Sequence, residues 1–343
     1  MRRLLNTLYI TSEDVYLALD GENALVKREN EIIARFPLHT VESIVSFSYA
    51  GASPALMGAC AQKGIGLCFL TPRGRFLARS VGEAHGNVLL RRRQYRAADD
   101  EAECVRIASS MLIGKLYNCR QNLERCIRDH GLRVDGQRLS AASASLKETL
   151  PQLRSASTLD MLRGLEGDGA RTYFGVFDEL ILREKENFRF ESRNRRPPTD
   201  RINALLSFAY MLLSGSCAHA LESVGLDSYV GFLHRDRPGR TSLALDLMEE
   251  LRPYLADRFV LTLINNRTVC GDDFKVHESG AVSIDDDARK NILKAWQERK
   301  RDEIVHPYLG EKLPLGLLPF VQAQLLARYL RGDLDEYPPF LMK

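Results

Sequence analysis

Several signals that would place this chain in a familiar class are missing from it. None of its seven cysteines (Cys60, Cys68, Cys104, Cys119, Cys126, Cys217 and Cys270) forms a CxxC pair, so a thiolate zinc site is not expected. Their odd number and apolar settings suit reduced, buried thiols in a cytosolic protein. No HExxH string occurs, which removes the common zinc-protease pattern. Gly164, Gly167 and Gly169 are not followed by Lys-Ser/Thr and follow no convincing strand, so they do not form a phosphate-cradling loop. The N-terminus, MRRLLNTLYITSEDVYLALD, is basic but lacks a sustained apolar run, so a signal peptide is not expected. The longest apolar-rich stretch, Ile202 to Leu213, reads as too short and too interrupted to span a bilayer, so a cytoplasmic protein with no membrane segment is expected. A strong charge of one sign is missing too. A formal net charge of +3 does not by itself indicate nucleic-acid binding, so the clustering of charge has to carry that argument.

What is present supports two domains. The chain has 343 residues, 45% of them hydrophobic, enough for ordinary globular cores. Up to about residue 80 it favours strands. Val15, Leu17 and Leu19 alternate with Tyr16, Ala18 and Asp20, and Asp20-Gly21-Glu22-Asn23 reads as a turn. Further strands are expected at Ile32 to Phe36, Val41 to Phe47, Gly66 to Leu70 and Arg75 to Ala78. Thr71-Pro72-Arg73-Gly74 is read as the turn between the last two, and a short helix is expected from Pro54 to Gln62. From Asp99 onward the pattern is helical, opening with a long segment through Ile127, while Gly131 to Ser145 reads as a polar loop. The fold class is therefore α+β: an N-terminal β-rich domain at 1–85, a linker at 86–98, and a larger all-helical domain at 99–343.

Basic residues gather in four places: Arg91, Arg92, Arg93 and Arg96; Arg189, Arg193, Arg195 and Arg196; Arg235, Arg237 and Arg240; and Lys290, Lys294, Arg299, Lys300 and Arg301. The last group is mixed with Glu298, Asp302 and Glu303 and reads as a solvated face. The group at 235–240 is the one expected to touch phosphate.

That group flanks the strongest chemical signal. His234 precedes a Pro238-Gly239 turn, and Thr241 or Ser242 can cap the helix that follows. Leu243, Leu247 and Leu251 give that helix an apolar face, which sets Asp246, Glu249 and Glu250 on the other side, where His234 can fold back toward them. Glu166 stands apart, flanked by Arg163 and Arg171 and set among three glycines. Helical periodicity continues on both sides of it, from Leu159, Leu162 and Leu165 to Tyr173, Phe174 and Phe177. Each glycine weakens a helix by about 1 kcal/mol against alanine, so three together suggest close approach by a backbone or a ligand. Two carboxylates and an imidazole leave positions open for water and phosphate oxygens, as Mg²⁺ or Mn²⁺ chemistry requires. Taken singly, a helical Glu is ordinarily solvated and a His structural, so spacing alone leaves both readings open. A further helix opens at the cap Asp200. Its apolar face (Leu205, Leu206, Ala209, Leu212, Leu213) is interrupted by Asn203 and Tyr210, which are read as making structural hydrogen bonds near the site.

Three strings together, RGLEGDGARTYF (163–174), PPTDRINALLSFAYMLL (197–213) and GFLHRDRPGRTSLALDLMEELRP (231–253), resemble the CRISPR-associated integrase of spacer acquisition, a metal-dependent DNase-integrase. The resemblance covers nearly the whole chain, keeps the family's motif order, and is nearest in character to members found with type I-C systems. The family's metal ligands are a Glu in the glycine-flanked motif, a His, and an acidic residue on the next helix. Carried over, they fall on Glu166, His234 and Glu249. Family members often have Asp in the third place, and Asp246 and Glu250 are near neighbours. Glu249 is taken because it stands three residues after the Asp of the DL pair, which leaves Asp246 to orient a water or a ligand. Glu250, Asn203 and Tyr210 are read as supporting residues. Arg163, Arg171, Arg235, Arg237 and Arg240 are read as DNA contacts. The resemblance also implies a Mg²⁺ or Mn²⁺ cofactor and double-stranded DNA substrates, an incoming fragment and a repeat array. It further implies a homodimer built largely through the β-domains, and a small ferredoxin-like second adaptation protein bridging two such dimers in a hetero-hexamer. The chemistry implied is attack by a 3′-hydroxyl on a phosphodiester of the array. A structure-selective DNase and a non-catalytic nucleic-acid scaffold are the rival readings. The tail from Asp333 to Phe340 is read as packing on the helical domain, with docking on a partner as the alternative.

Overall fold

The structure is a computed structural model that describes residues 6–29, 31–72, 76–82, 88–194 and 197–342. It divides into two compact units, Met1–Gly86 with Leu293–Asp302, and Asn87–Ile292 with Glu303–Lys343.

Alternating apolar residues build the first unit. Its elements are β1 (Thr7–Ile10), β2 (Tyr16–Asp20), β3 (Asn23–Arg28), β4 (Glu31–Pro37), β5 (Ser43–Ser46), α1 (Pro54–Gln62), β6 (Gly66–Leu70) and β7 (Phe76–Ser80). β2, β3 and β4 form an antiparallel sheet in that order. Asp20 pairs with Asn23 across a two-residue loop whose Gly21 has φ +56°, a conformation glycine adopts without strain. The other sheet has the order β1-β5-β6-β7, with the first three parallel and β7 antiparallel. Ser53 caps α1 by accepting from the Leu56 N–H at 3.2 Å. Leu17, Val26, Ile44, Leu56 and Leu67 meet in the core. The expected strands and the short helix are thus all present. The turn at Thr71 to Gly74 and the start of its following strand involve residues 73–75, which lie outside the described residues, as do Arg195 and Arg196.

The second unit comprises α2 (Val88–Asp99), α3 (Glu101–His130), α4 (Gly136–Ser155), α5 (Leu159–Gly175), α6 (Arg201–Ser223), α7 (Ser242–Arg252), α8 (Arg258–Asn265), α9 (Asp286–Arg299, whose second half is assigned to the first unit) and α10 (Leu318–Arg331). Two short antiparallel pairs, β8–β9 (Phe274–Val276, Val282–Ile284) and β10–β11 (Glu303–Val305, Lys312–Pro314), accompany the helices, so the unit is mostly rather than wholly helical. The 30-residue α3 is its spine, with α4, α5 and α7 packed along it, and α6 packs on α7 and α10.

Three readings need correction here. The span read as a linker at 86–98 is helical from Val88 onward, as α2, whose arginines obscure Leu90, Gln94 and Ala97 at helical spacing on a buried face. Gln94 is fully buried, donates to the Asp227 and Val230 carbonyls at 2.8 and 2.9 Å, and accepts from the Asp227 N–H. Gly131 to Ser145 is not a loop throughout, because Asp135 caps α4 by accepting from the Arg138 N–H, and Leu139, Ala142 and Leu146 are buried. Finally, α6 is 23 residues long, which by length and composition would cross a bilayer. Length therefore does not argue against a span, but 67% of its apolar window is buried inside the protein, as in a core helix.

Candidate metal centre

Helix α7 organises the site, and it is buried nearly all round: among its eleven residues only Leu245 is not. Its three carboxylates therefore do not share one solvent face. Each turns to a different set of partners.

Asp246, fully buried, faces back toward the segment before the helix. Its carboxylate accepts from the N–H groups of Phe232, Leu233 and His234 at 2.6, 3.0 and 3.0 Å, and lies 2.6 Å from His234 Nδ1. With Nδ1 donating to Asp246, Nε2 of His234 keeps its lone pair. Gly231 permits the fold-back, since a Cβ there would stand 2.7 Å from Asp246 Oδ2. The expected turn is present, with the Arg240 N–H donating to the Arg237 carbonyl and Gly239 at φ +74°. Thr241 holds the cap position without a side-chain bond, and the Ser242 hydroxyl reaches the Arg235 carbonyl at 3.3 Å.

Glu249, also buried, faces α3 and α5. Its Oε1 accepts from Arg252 at 2.7 Å, and the Arg252 guanidinium lies over the Tyr210 ring, 4.6 Å from the centroid. Its Oε2 lies 2.7 Å from Lys115 Nζ, an ion-pair contact whose angles fall short of a hydrogen bond, and that buried oxygen accepts no hydrogen bond among the described residues. Lys115 also binds Glu166 of α5. Burial works against the charge on Glu249, but Arg252, Lys115 and His234 outweigh it and hold the carboxyl below the usual carboxylate range. Lys115 behaves in the mirror sense: burial pulls its ammonium down, and Glu249 and Glu166 more than restore it.

Glu250 turns away from this cluster. It accepts from the Tyr337 hydroxyl, the Phe340 N–H at 2.6 Å and the Gln322 amide at 3.1 and 3.2 Å. Burial pushes its carboxyl up to about 7 in spite of those bonds, all of which come from neutral donors. Glu250 is thus an anchor for the tail rather than a support for Glu249. The tail packs, with Tyr337, Phe340 and Met342 all buried.

The glycines around Glu166 do not break the helix, since α5 runs unbroken from Leu159 to Gly175. Close approach is real at one of them: a Cβ on Gly169 would stand 2.7 Å from both Leu116 methyl carbons, so this glycine lets α5 sit against α3. Gly164 and Gly167 border open space instead, on the helix that carries the partly exposed Glu166.

The basic residues separate by role. Arg163 donates to the Leu233 carbonyl at 2.8 Å and pairs with Asp160, so it ties α5 to the His234 segment. Arg171 pairs with Asp168 on the exposed surface, and Arg235 reaches Asp160 at 3.5 Å. Arg235 and Arg237 are exposed and Arg240 is half-buried. Asn203 makes structural bonds, accepting from Arg193 at 2.6 Å and donating to the Ser192 carbonyl at 2.8 Å. Tyr210 donates to Asp257 at 2.6 Å; burial raises the Asp257 carboxyl to about 6. Asp257 lies in a π-helical turn at Pro253–Asp257, where proline supplies no N–H to the ladder. Two charged residues of the cluster, Lys115 and Arg252, were not singled out from the sequence.

Among the described residues, no three His, Cys, Asp or Glu side chains gather closely enough to enclose an ion as they stand. The place between Glu166 and Glu249 is taken by an ammonium. The donor chemistry nonetheless fits a divalent ion: two carboxylates that already share a cation, one buried carboxylate oxygen without a hydrogen bond, and an imidazole with a free nitrogen.

The architecture, a β-rich unit followed by a mostly helical one, recurs in solved structures. A casposase bound to integration product aligns with TM-score 0.84 over 98% of this chain and 94% of that one, at 22% identity. A Cas6-RT-Cas1–Cas2 complex chain aligns with TM-score 0.81 over 98% of this chain and 36% of that one, also at 22% identity. At such identity the likeness is one of fold. Sequence goes further. The family described as CRISPR associated protein Cas1 matches residues 8–298. The CRISPR-associated endonuclease Cas1 1 of Chlorobaculum tepidum is 48% identical over 343 residues, all of both chains. The CRISPR-associated endonuclease Cas1 2 of Rhodospirillum rubrum is 51% identical over 347 residues, again all of both. This chain belongs to the Cas1 family.

Proposed function

We propose that this protein is a metal-dependent DNA endonuclease and integrase that inserts short DNA fragments into a CRISPR repeat array. Membership of the Cas1 family supports the reaction class. The observation that carries the site is the meeting of Glu166 and Glu249 on one buried cation, beside a histidine whose Nδ1 is held by Asp246. Glu166, His234 and Glu249 would hold Mg²⁺ or Mn²⁺. The bound ion would polarise the scissile phosphate and stabilise charge developing on its oxygens.

The chain's own residues prepare that site. Arg252, fixed between Glu249 and the Tyr210 ring, keeps Glu249 ionised in a buried place. Asp246 fixes the His234 tautomer and, with Arg163, the path of the segment carrying it. Glu166 is the most accessible of the three, its side chain 31% exposed, and so faces incoming substrate. Arg235 and Arg237 extend the site toward a phosphate backbone. In the reaction, the 3′-oxygen of the fragment bonds to phosphorus of the array and the array's own 3′-oxygen departs. One phosphodiester forms as one breaks, the proton lost by the attacking hydroxyl is matched by one gained on the leaving oxygen, and no covalent protein intermediate is needed.

The partners follow the same reading: double-stranded DNA, a second copy of this chain, and a small ferredoxin-like Cas2-type protein completing a hetero-hexamer in the cytoplasm, within a type I-C adaptation module. A Cas1–Cas2 assembly among the fold neighbours supports the second protein, and the sequence motifs support the subtype. Pairing of β-units is supported by β4 and β7, which end their sheets and expose Ile32, Ile33, Phe76 and Leu77.

The test is strand transfer. Protein and its Cas2-type partner meet a labelled duplex with free 3′-hydroxyls and a plasmid carrying a repeat array, with Mn²⁺ or EDTA. Joined product that needs Mn²⁺ and vanishes in Glu166→Ala is expected. Cleavage without joining indicates a nuclease that does not integrate, and binding without either product indicates a scaffold.

A further inference from the structure

Lys115 has no part in the reaction as described, yet it is a buried cation at the centre of the site. It rises from the middle of α3, is 4% exposed, and meets two carboxylates from two other helices, Glu166 of α5 and Glu249 of α7. A buried ammonium is unfavourable unless paired, and here it is paired twice. Counting Arg252, the cluster holds two cations and two anions and is neutral as it stands. A divalent ion added beside the same carboxylates would leave two uncompensated positive charges in a buried place, and withdrawal of one of the cations would halve that excess.

The two cations differ in their freedom to withdraw. Arg252 is pinned, its guanidinium donating to Glu249 Oε1 and lying against the Tyr210 ring. Lys115 reaches Glu249 Oε2 at 2.7 Å on a flexible stem with no ring packed on its head among the described residues, and its other partner, Glu166, is partly open to solvent. A four-carbon stem with a compact, rotatable head is suited to leaving such partners.

We infer that Lys115 is the resident counter-ion of the site, holding Glu166 and Glu249 together in the absence of a divalent ion, and that metal loading is an exchange in which its ammonium leaves the carboxylates. The inference rests on the reading of Glu166 and Glu249 as ion ligands. It makes Lys115 a positioning residue that sets metal affinity and prevents two carboxylates from facing each other uncompensated.

The experiment is calorimetric titration of the full chain with Mn²⁺, with melting temperatures in EDTA and in Mn²⁺. Lys115→Met should bind Mn²⁺ at least tenfold tighter than wild type, melt lower in EDTA, and gain more on Mn²⁺ addition. Lys115→Arg, whose fork stays on the carboxylates, should bind more weakly. Equal or weaker binding by a folded Lys115→Met overturns the inference. Should that variant not fold, wild type supplies the test through amine acylation mapped by mass spectrometry. Lys115 should be protected in EDTA and labelled at saturating Mn²⁺; protection unchanged while Mn²⁺ is bound overturns it. If neither wild type nor a folded variant binds Mn²⁺, the ligand reading itself falls, which is a different failure.

Discussion

Asp246→Asn is the sharpest probe of how the site is held. The substitution keeps volume and shape but turns one buried acceptor oxygen into a donor. Either orientation of the new amide leaves something stranded. If the NH₂ replaces Oδ2, it faces the Phe232 and Leu233 N–H groups, and both lose their acceptor. If it replaces Oδ1, the His234 N–H loses its acceptor and the ring must turn Nδ1 into an acceptor to meet the amide. The second is the cheaper choice, with one stranded backbone donor costing about 1–3 kcal/mol. Its chemical consequence is more severe, because a ring accepting at Nδ1 carries its proton on Nε2 and has no lone pair to offer an ion. A urea melt should therefore show about 1–3 kcal/mol of lost stability. Strand transfer in Mn²⁺ should fall about 10- to 100-fold, the range typical of residues that orient metal-binding histidines. DNA binding should hold. Stability within about 0.5 kcal/mol of wild type together with full strand transfer would refute the role given to Asp246.

Other outcomes follow from the same geometry. Glu250 has a carboxyl raised from 4.5 to about 7, so between those values the folded state binds a proton the unfolded state lacks, and its contribution declines as pH rises through that window. The expected loss is about 3 kcal/mol from pH 4.5 to above 7, and Glu250→Gln should abolish that part of the slope in urea midpoints. An unchanged slope counts against it. Gly169→Ala should cost about 1–3 kcal/mol, because Leu116 must move, while Gly164→Ala should gain up to about 1 kcal/mol by helix propensity. Thermal unfolding of the pair distinguishes them, and equal effects would show that α5 does not rest on α3 as described. Arg237→Glu, on the exposed turn, should weaken DNA binding and lower the salt slope by about 1 for each phosphate the arginine neutralises; an identical slope removes this residue from the interface.

Much of this molecule is legible in its sequence where the signal is local. The alternation around Leu17, the Pro54 start of α1, and the Pro238-Gly239 turn all appear where their residues place them. Signals failed where composition masked periodicity. The arginines of α2 hid a buried face, and the polar run before Leu146 hid a capped helix. The three carboxylates of α7 looked like one face because residues three and four apart are neighbours on a helix. That rule does not say whether solvent or protein lies opposite, and here protein does on every side. Lys115 was missed because its partners lie far along the chain. One clue existed: a lysine among Met111, Leu112, Leu116 and Cys119 on the apolar side of an amphipathic helix requires a buried anion, and the sequence held candidates in Glu166 and Glu249.

The assignment of Leu293–Asp302 to the first unit bears on how this protein is made and inherited. Trp296 is buried there, and Lys300 reaches Thr7 Oγ1 at 3.1 Å on β1, a strand at the edge of its sheet. During synthesis the strands emerge first, but the piece that completes them emerges only after most of the helical unit. The β-unit therefore gains its last contacts late, and proteolysis between the units would yield a fragment that keeps the core from Ile10 to Phe69 but lacks the lysine that meets Thr7. The same holds over evolutionary time. A recombination that exchanged only the leading stretch would separate β1 from the lysine that meets it, so inheritance favours exchange of the two units together.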